Sequence, residues 1–173
     1  MGFMDSLKGI KRAKPGAAFV PKSELINNIL DLNRDELPFK IETAGDIDLV
    51  AEWKIVDAAW YEIFAKAGLE KTHKIWLFLN EDEKMVKVLE ESFTLSWRAG
   101  VPSISVNSEK FQGRTMGSKS FGVGYAFKGI DPLSVGQVYN YRFDVSEMKN
   151  PLIEITTGAG WDFVPVVTRK KLQ

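Results

Sequence analysis

The sequence predicts an α+β domain: a mainly antiparallel β-sheet, folded as a sandwich or a partly closed barrel, with two or three short helices. Three observations predict it. The 173 residues are 45% hydrophobic, enough to build one core and one domain. From residue 46 onward, short runs of alternating or fully apolar residues recur between Gly, Pro, Asn and Asp. Residues 25–32 and 58–67 carry apolar side chains at helical spacing instead.

Residues 1–22 read as a basic arm ahead of a globular domain at 23–173, because Pro15-Gly16 and Pro21 interrupt helices and mark loops. Ser23 is placed to cap a helix whose Leu25, Ile26, Ile29, Leu30 and Leu32 share a face, ending near Asn33. A loop through Pro38 follows. Residues 46–56 alternate, with Ile47, Leu49, Ala51, Trp53 and Ile55 on one face and Asp48, Glu52 and Lys54 on the other. Residues 58–67 fit a helix through Trp60, Ile63, Phe64 and Ala67 capped by Gly68, although Tyr61–Phe64 also fits a strand. In residues 74–79 both the Ile75/Leu77/Leu79 set and the Trp76/Phe78 set are apolar, which predicts cover on both faces.

The polar turn Asn80–Glu83 leads into a strand at 85–97, so an antiparallel hairpin is the economical connection. Further strands read at 101–106, 120–127, 138–145 and 161–167. Between the last two, Asn150 as N-cap and Pro151 at the first helical position predict a short helix through Leu152 and Ile155, stopping at Gly158.

Composition removes several chemistries. With no cysteine and one histidine, His73, the chain has no thiolate nucleophile, no Fe–S ligand and no sulfur or paired-histidine zinc site; no metal and no cofactor are expected. The 23 basic residues balance 23 acidic ones, so no specific nucleic-acid partner is expected. The balance is a cancellation. Residues 1–22 hold five basic residues against Asp5 alone, a balance of +4; residues 23–60 carry −6, and the rest +2. That pattern permits the arm to fold onto the acidic stretch that follows it. No apolar run reaches membrane-spanning length, and the early Asp5 with basic residues after the apolar ones is the reverse of a secretory signal, so a cytoplasmic address is expected.

Motifs fail one by one. Gly113–Ser120 has three residues between its glycines where a P-loop needs four, and Ser118 stands where the lysine belongs; Arg114 and Lys119 remain as anion contacts on a loop. Asn80–Glu91 has the length of a calcium loop, but Lys84 replaces an oxygen ligand and Met85 the turn glycine. His73, between Lys71 and Lys74 with no nucleophile elbow anywhere, reads as a surface histidine. In residues 121–127, bulky Phe121, Val123, Tyr125 and Phe127 alternate with bare Gly122, Gly124 and Ala126, a face for internal packing. In residues 138–145, Asn140, Arg142 and Asp144 alternate with aromatics; facing inward they would line a pocket, with Arg142 as anion anchor. Of the five tryptophans, Trp53, Trp60, Trp76 and Trp97 belong to the core, while Trp161, after Gly158-Ala-Gly160, is the candidate for ligand contact.

The arm supplies the sharpest binding expectation. On a helical wheel Phe3, Leu7 and Ile10, flanked by Met4, form an apolar strip, with Lys8, Lys11 and Arg12 as the basic contacts. The first six residues loosely fit a myristoylation pattern, against which the bulky Phe3 after glycine argues. The expected function is a non-catalytic intracellular binding or protein-interaction domain with a protein or small-molecule partner. Two alternatives stand beside it: a peripheral protein touching an anionic membrane surface through residues 1–14, and a small-molecule enzyme using Arg142 and carboxylates in a sheet-lined pocket.

Overall fold

The computed structural model describes residues 2–55, 71–98, 101–105, 119–125 and 138–173. The expected element at 58–67, with Trp60, lies outside them, as does Arg114. In chain order the elements are α1 (Phe3–Lys8), α2 (Lys22–Leu30), β1 (Phe39–Ala44), β2 (Ile47–Trp53), β3 (Lys71–Asn80), β4 (Met85–Arg98), β5 (Val101–Ser105), β6 (Lys119–Tyr125), β7 (Val138–Asp144), α3 (Val145–Gly158), β8 (Asp162–Val166) and α4 (Arg169–Leu172). The class is α+β, as predicted.

Strands β1 to β5 lie side by side in sequence order, each pairing antiparallel with the next. Strand β4 is 14 residues long and serves two partners on the edge away from β3. Its last residues, Thr94–Arg98, pair with β5; its first, Met85–Leu89, pair with β8, and that pairing is parallel. Strands β6 and β7 form a separate antiparallel pair. Among the described residues the main sheet stays open, which corrects the partly closed barrel.

One face of this sheet carries the core. Phe39, Ile41, Leu49, Ala51, Trp53, Ile75, Leu77, Leu79, Val86 and Val88 are buried in one cluster with Leu25 and Ile29 of α2 and Val145, Met148 and Leu152 of α3. Each large aliphatic side chain buried this way contributes about 1.5–3 kcal/mol. Phe39 and Trp53, opposite each other in the β1–β2 register, meet edge to face at 6.3 Å.

Several expectations change. Strand β1 was hidden because Phe39 and Ile41 alternate with Lys40 and Glu42 for too few residues to stand out; it turns into β2 at Gly45, whose φ of 60 suits glycine. Ser23 does not cap α2. The N-cap is Pro21, and the Glu81 carboxylate of the β3–β4 turn accepts the Lys22 amide at 2.8 Å, so the cap comes from a residue distant in sequence. Helix α3 starts at Val145, not Asn150, and contains Pro151: Val145, Met148 and Leu152 bury one apolar side, which outweighs the single backbone bond the proline removes. On the second face of β3, Trp76 and Phe78 are half-buried, and among the described residues charged side chains lie over them. Trp76 lies under the Arg169 guanidinium at 4.4 Å and Phe78 under the Lys22 ammonium at 5.4 Å, so charged stems stand where a second apolar layer was expected.

His73 is buried, not on the surface. The β3–β4 register sets it opposite Ser92, whose hydroxyl lies 2.9 Å from Nδ1. Asn80 closes the hairpin by accepting the Glu83 amide, a structural task for part of the rejected calcium loop.

Candidate functional site

The arm divides into two parts with opposite fates. Residues 10–22 form a strap bound to the last third of the chain. Lys11 and Phe163 exchange both backbone hydrogen bonds, at 2.9 and 2.7 Å, which adds one bridge to the free edge of β8. The Ala13 amide donates to the Asp162 carboxylate, the Lys14 amide to the Thr157 carbonyl and the Val20 amide to the Ala159 carbonyl. The Trp161 indole N–H donates to the Val20 carbonyl at 2.7 Å, and Phe19 stacks on that indole with ring centroids 5.3 Å apart. Lys84 sits over the Phe19 ring, 4.8 Å from its centroid.

Residues 3–8 behave differently. Gly9 takes a left-handed φ of 71 and ends α1, so Ile10, Lys11 and Arg12 leave the helical wheel on which the sequence placed them. Among the described residues, Arg12 ties the helix to the body. Arg12 reaches Asp5 with two donors, at 2.8 and 2.9 Å, and Asp162 with a third at 2.7 Å. These carboxylates raise the Arg12 pKa, Asp5 first, and the guanidinium lowers that of Asp5.

On the wheel, Asp5 lies opposite the Phe3–Leu7 row. It is the least exposed residue of α1, while Phe3, Met4 and Leu7 are 78%, 60% and 53% exposed. The usual amphipathic arrangement is inverted: the acid faces the protein and the apolar row faces out. Lys8, one turn from Met4, is exposed as well. Lys8 and half-buried Lys11 make no ion pair among the described residues, whereas Lys14 pairs with Glu154 and Lys22 with Asp48. Of these pairs only Lys22–Asp48 lands on the acidic stretch 23–60; Arg12 and Lys14 find carboxylates at 154 and 162 instead.

The remaining candidates sit elsewhere. Lys119 opens β6 opposite Asp144, and the same register sets Arg142 opposite Phe121 and Asn140 opposite Val123, so these three share one hairpin. Trp161 is fully buried beneath the strap, its indole N–H already engaged. A cleft of about 470 Å³ is lined by Asn33–Glu36, Lys40–Glu42 and Lys54. Its cations Arg34, Lys40 and Lys54 face Asp35, Glu36 and Glu42, and the Lys54 ammonium is taken up by the carbonyls of Arg34 and Asp35, so it offers no unbalanced charge to a ligand.

Sequence reasoning missed Asp5, Gly9 and Asp162 as the residues that shape the site. Asp5 as the lone acid of the arm and Gly9 as a break in the apolar row were the available signals; nothing local marks Asp162. Among the described residues no helix is long and apolar enough to cross a membrane, and no group of three potential metal ligands occurs. Compared with known proteins, the chain matches no family model, no curated protein and no solved structure.

Proposed function

We propose that the protein is a binding domain whose contact surface is the outward face of α1. The observation that carries this reading is the inverted helix: Phe3, Met4 and Leu7 stay exposed while Asp5 turns inward to Arg12. Burying an apolar row on the body would be favourable, and leaving it outside gives up that free energy until something covers it. Arg12 and Asp162 hold the helix in this orientation, and the strap holds Arg12.

Immobilised intact protein and a Phe3→Ser/Leu7→Ser variant, each exposed to extract of the source cells, test the reading. The intact chain retains a component that the variant loses by about tenfold or more. Val167→Ser, which removes an exposed apolar residue distant in sequence from α1, leaves retention unchanged. Equal retention by the intact chain and the α1 variant overturns the proposal.

A further inference from the structure

Size and charge narrow what covers this face. We infer that the outward face of α1 docks on the surface of an anionic lipid bilayer, an inference that rests on α1 being the contact surface.

A helix that fills a protein groove presents anchors over two turns, at i, i+3 or i+4, and i+7. Phe3, Met4 and Leu7 supply the first of these turns only. The next anchor would be Ile10, but it lies beyond the left-handed Gly9 and is half-buried against the body. The six residues of α1 span about 9 Å. Such a short row suits shallow insertion at an interface, where each apolar side chain acts on its own.

The charges agree. Residues 2–14 hold four cations and one acid, Asp5, which is turned inward and neutralised by Arg12. Lys8 and Lys11 make no ion pair among the described residues, and Lys8 stands beside the apolar row. Lys8 bordering exposed Phe3, Met4 and Leu7, with Asp5, the one acid of α1, turned to the other side, complements an anionic leaflet. A second copy of the chain fits less well, because a two-fold pairing through α1 would bring Lys8 towards its own copy.

The test is co-sedimentation of the intact chain with vesicles of phosphatidylcholine alone and of phosphatidylcholine mixed with phosphatidylglycerol. Binding is expected on the mixed vesicles only, and it weakens as salt rises. Phe3→Ser/Leu7→Ser lowers partitioning about tenfold or more, and Lys8→Gln about fivefold, with the unfolding midpoint of each variant near that of the parent. Absence of binding by the intact chain overturns the lipid assignment. If the double variant then still loses its extract component, the contact-surface reading survives with a protein as occupant. Vesicle binding that persists in both variants overturns the placement on α1.

Discussion

The indole of Trp161 is held by two successive residues of the strap: Phe19 stacks on it with the ring planes 22° apart, and its N–H donates to the Val20 carbonyl. Trp161→Phe keeps an aromatic ring against Phe19 but leaves the Val20 carbonyl without that donor and a gap beside it. The expected loss is about 2 kcal/mol by equilibrium denaturation, and about 3–5 kcal/mol for Trp161→Ala. A Trp161→Phe protein as stable as the parent would show that the hydrogen bond contributes nothing.

Gly160 and Gly45 separate backbone strain from crowding. Both have positive φ, 78 and 60, but a Cβ at Gly45 meets open space whereas one at Gly160 lies 3.0 Å from the Phe19 Cα and 3.2 Å from the Ala18 carbonyl oxygen. Gly45→Ala is expected to cost about 1 kcal/mol, the left-handed penalty alone. Gly160→Ala adds a clash with backbone, so it costs more and pushes the strap outward. Faster hydrogen exchange at the Val20 amide, which donates to Ala159, reads that displacement.

The Asp5–Arg12 contact makes the seating of α1 depend on pH. The guanidinium lowers the Asp5 pKa from its ordinary 3.8, so the folded state holds the carboxylate more tightly than the unfolded chain does. The contribution is complete above 3.8 and disappears as pH falls through the lowered value. In acid, therefore, α1 separates from Arg12 while the strap stays bonded. Carbon-detected NMR titration should find the Asp5 carboxyl below 3.8, and Arg12→Gln should return it to the ordinary range. An Asp5 that titrates normally in the parent contradicts the geometry.

Helix α2 tests where a cap comes from. Glu81→Ala removes the acceptor of the Lys22 amide and should cost about 1 kcal/mol in a denaturant titration. Ser23→Ala, at the position the local sequence favours for a cap, should fall within about 0.5 kcal/mol of the parent. The reverse ranking would restore Ser23 as the cap.

What was legible followed from local pattern. Ile47 to Trp53 announces a strand by alternation, Ile75 to Leu79 announces one by an unbroken apolar run, and Asn80–Glu83 announces the turn from β3 into β4, so that antiparallel hairpin can be read from the sequence. Strand β8 could be read as a strand but not placed: nothing in Asp162–Val166 says that it pairs in parallel with Met85–Leu89, a choice made by α3 packing over the sheet. Pro151 misled because burial of Val145 and Met148 decides where α3 begins, and burial is not local. In the arm, the apolar strip was visible and its direction was not. Direction depends on Arg12 reaching Asp5 and Asp162 together, a contact spanning 150 residues.

The exchange of hydrogen bonds between Lys11 and Phe163 also sets an order of assembly. Residue 163 is translated 152 residues after residue 11, a delay of about 8–30 s at ribosomal rates of roughly 5–20 residues per second. Throughout that interval the strap has no β8 to close upon. Phe3, Met4 and Leu7 are thus presented on the nascent chain before the domain behind them exists, and any surface that receives them can do so while translation is still under way.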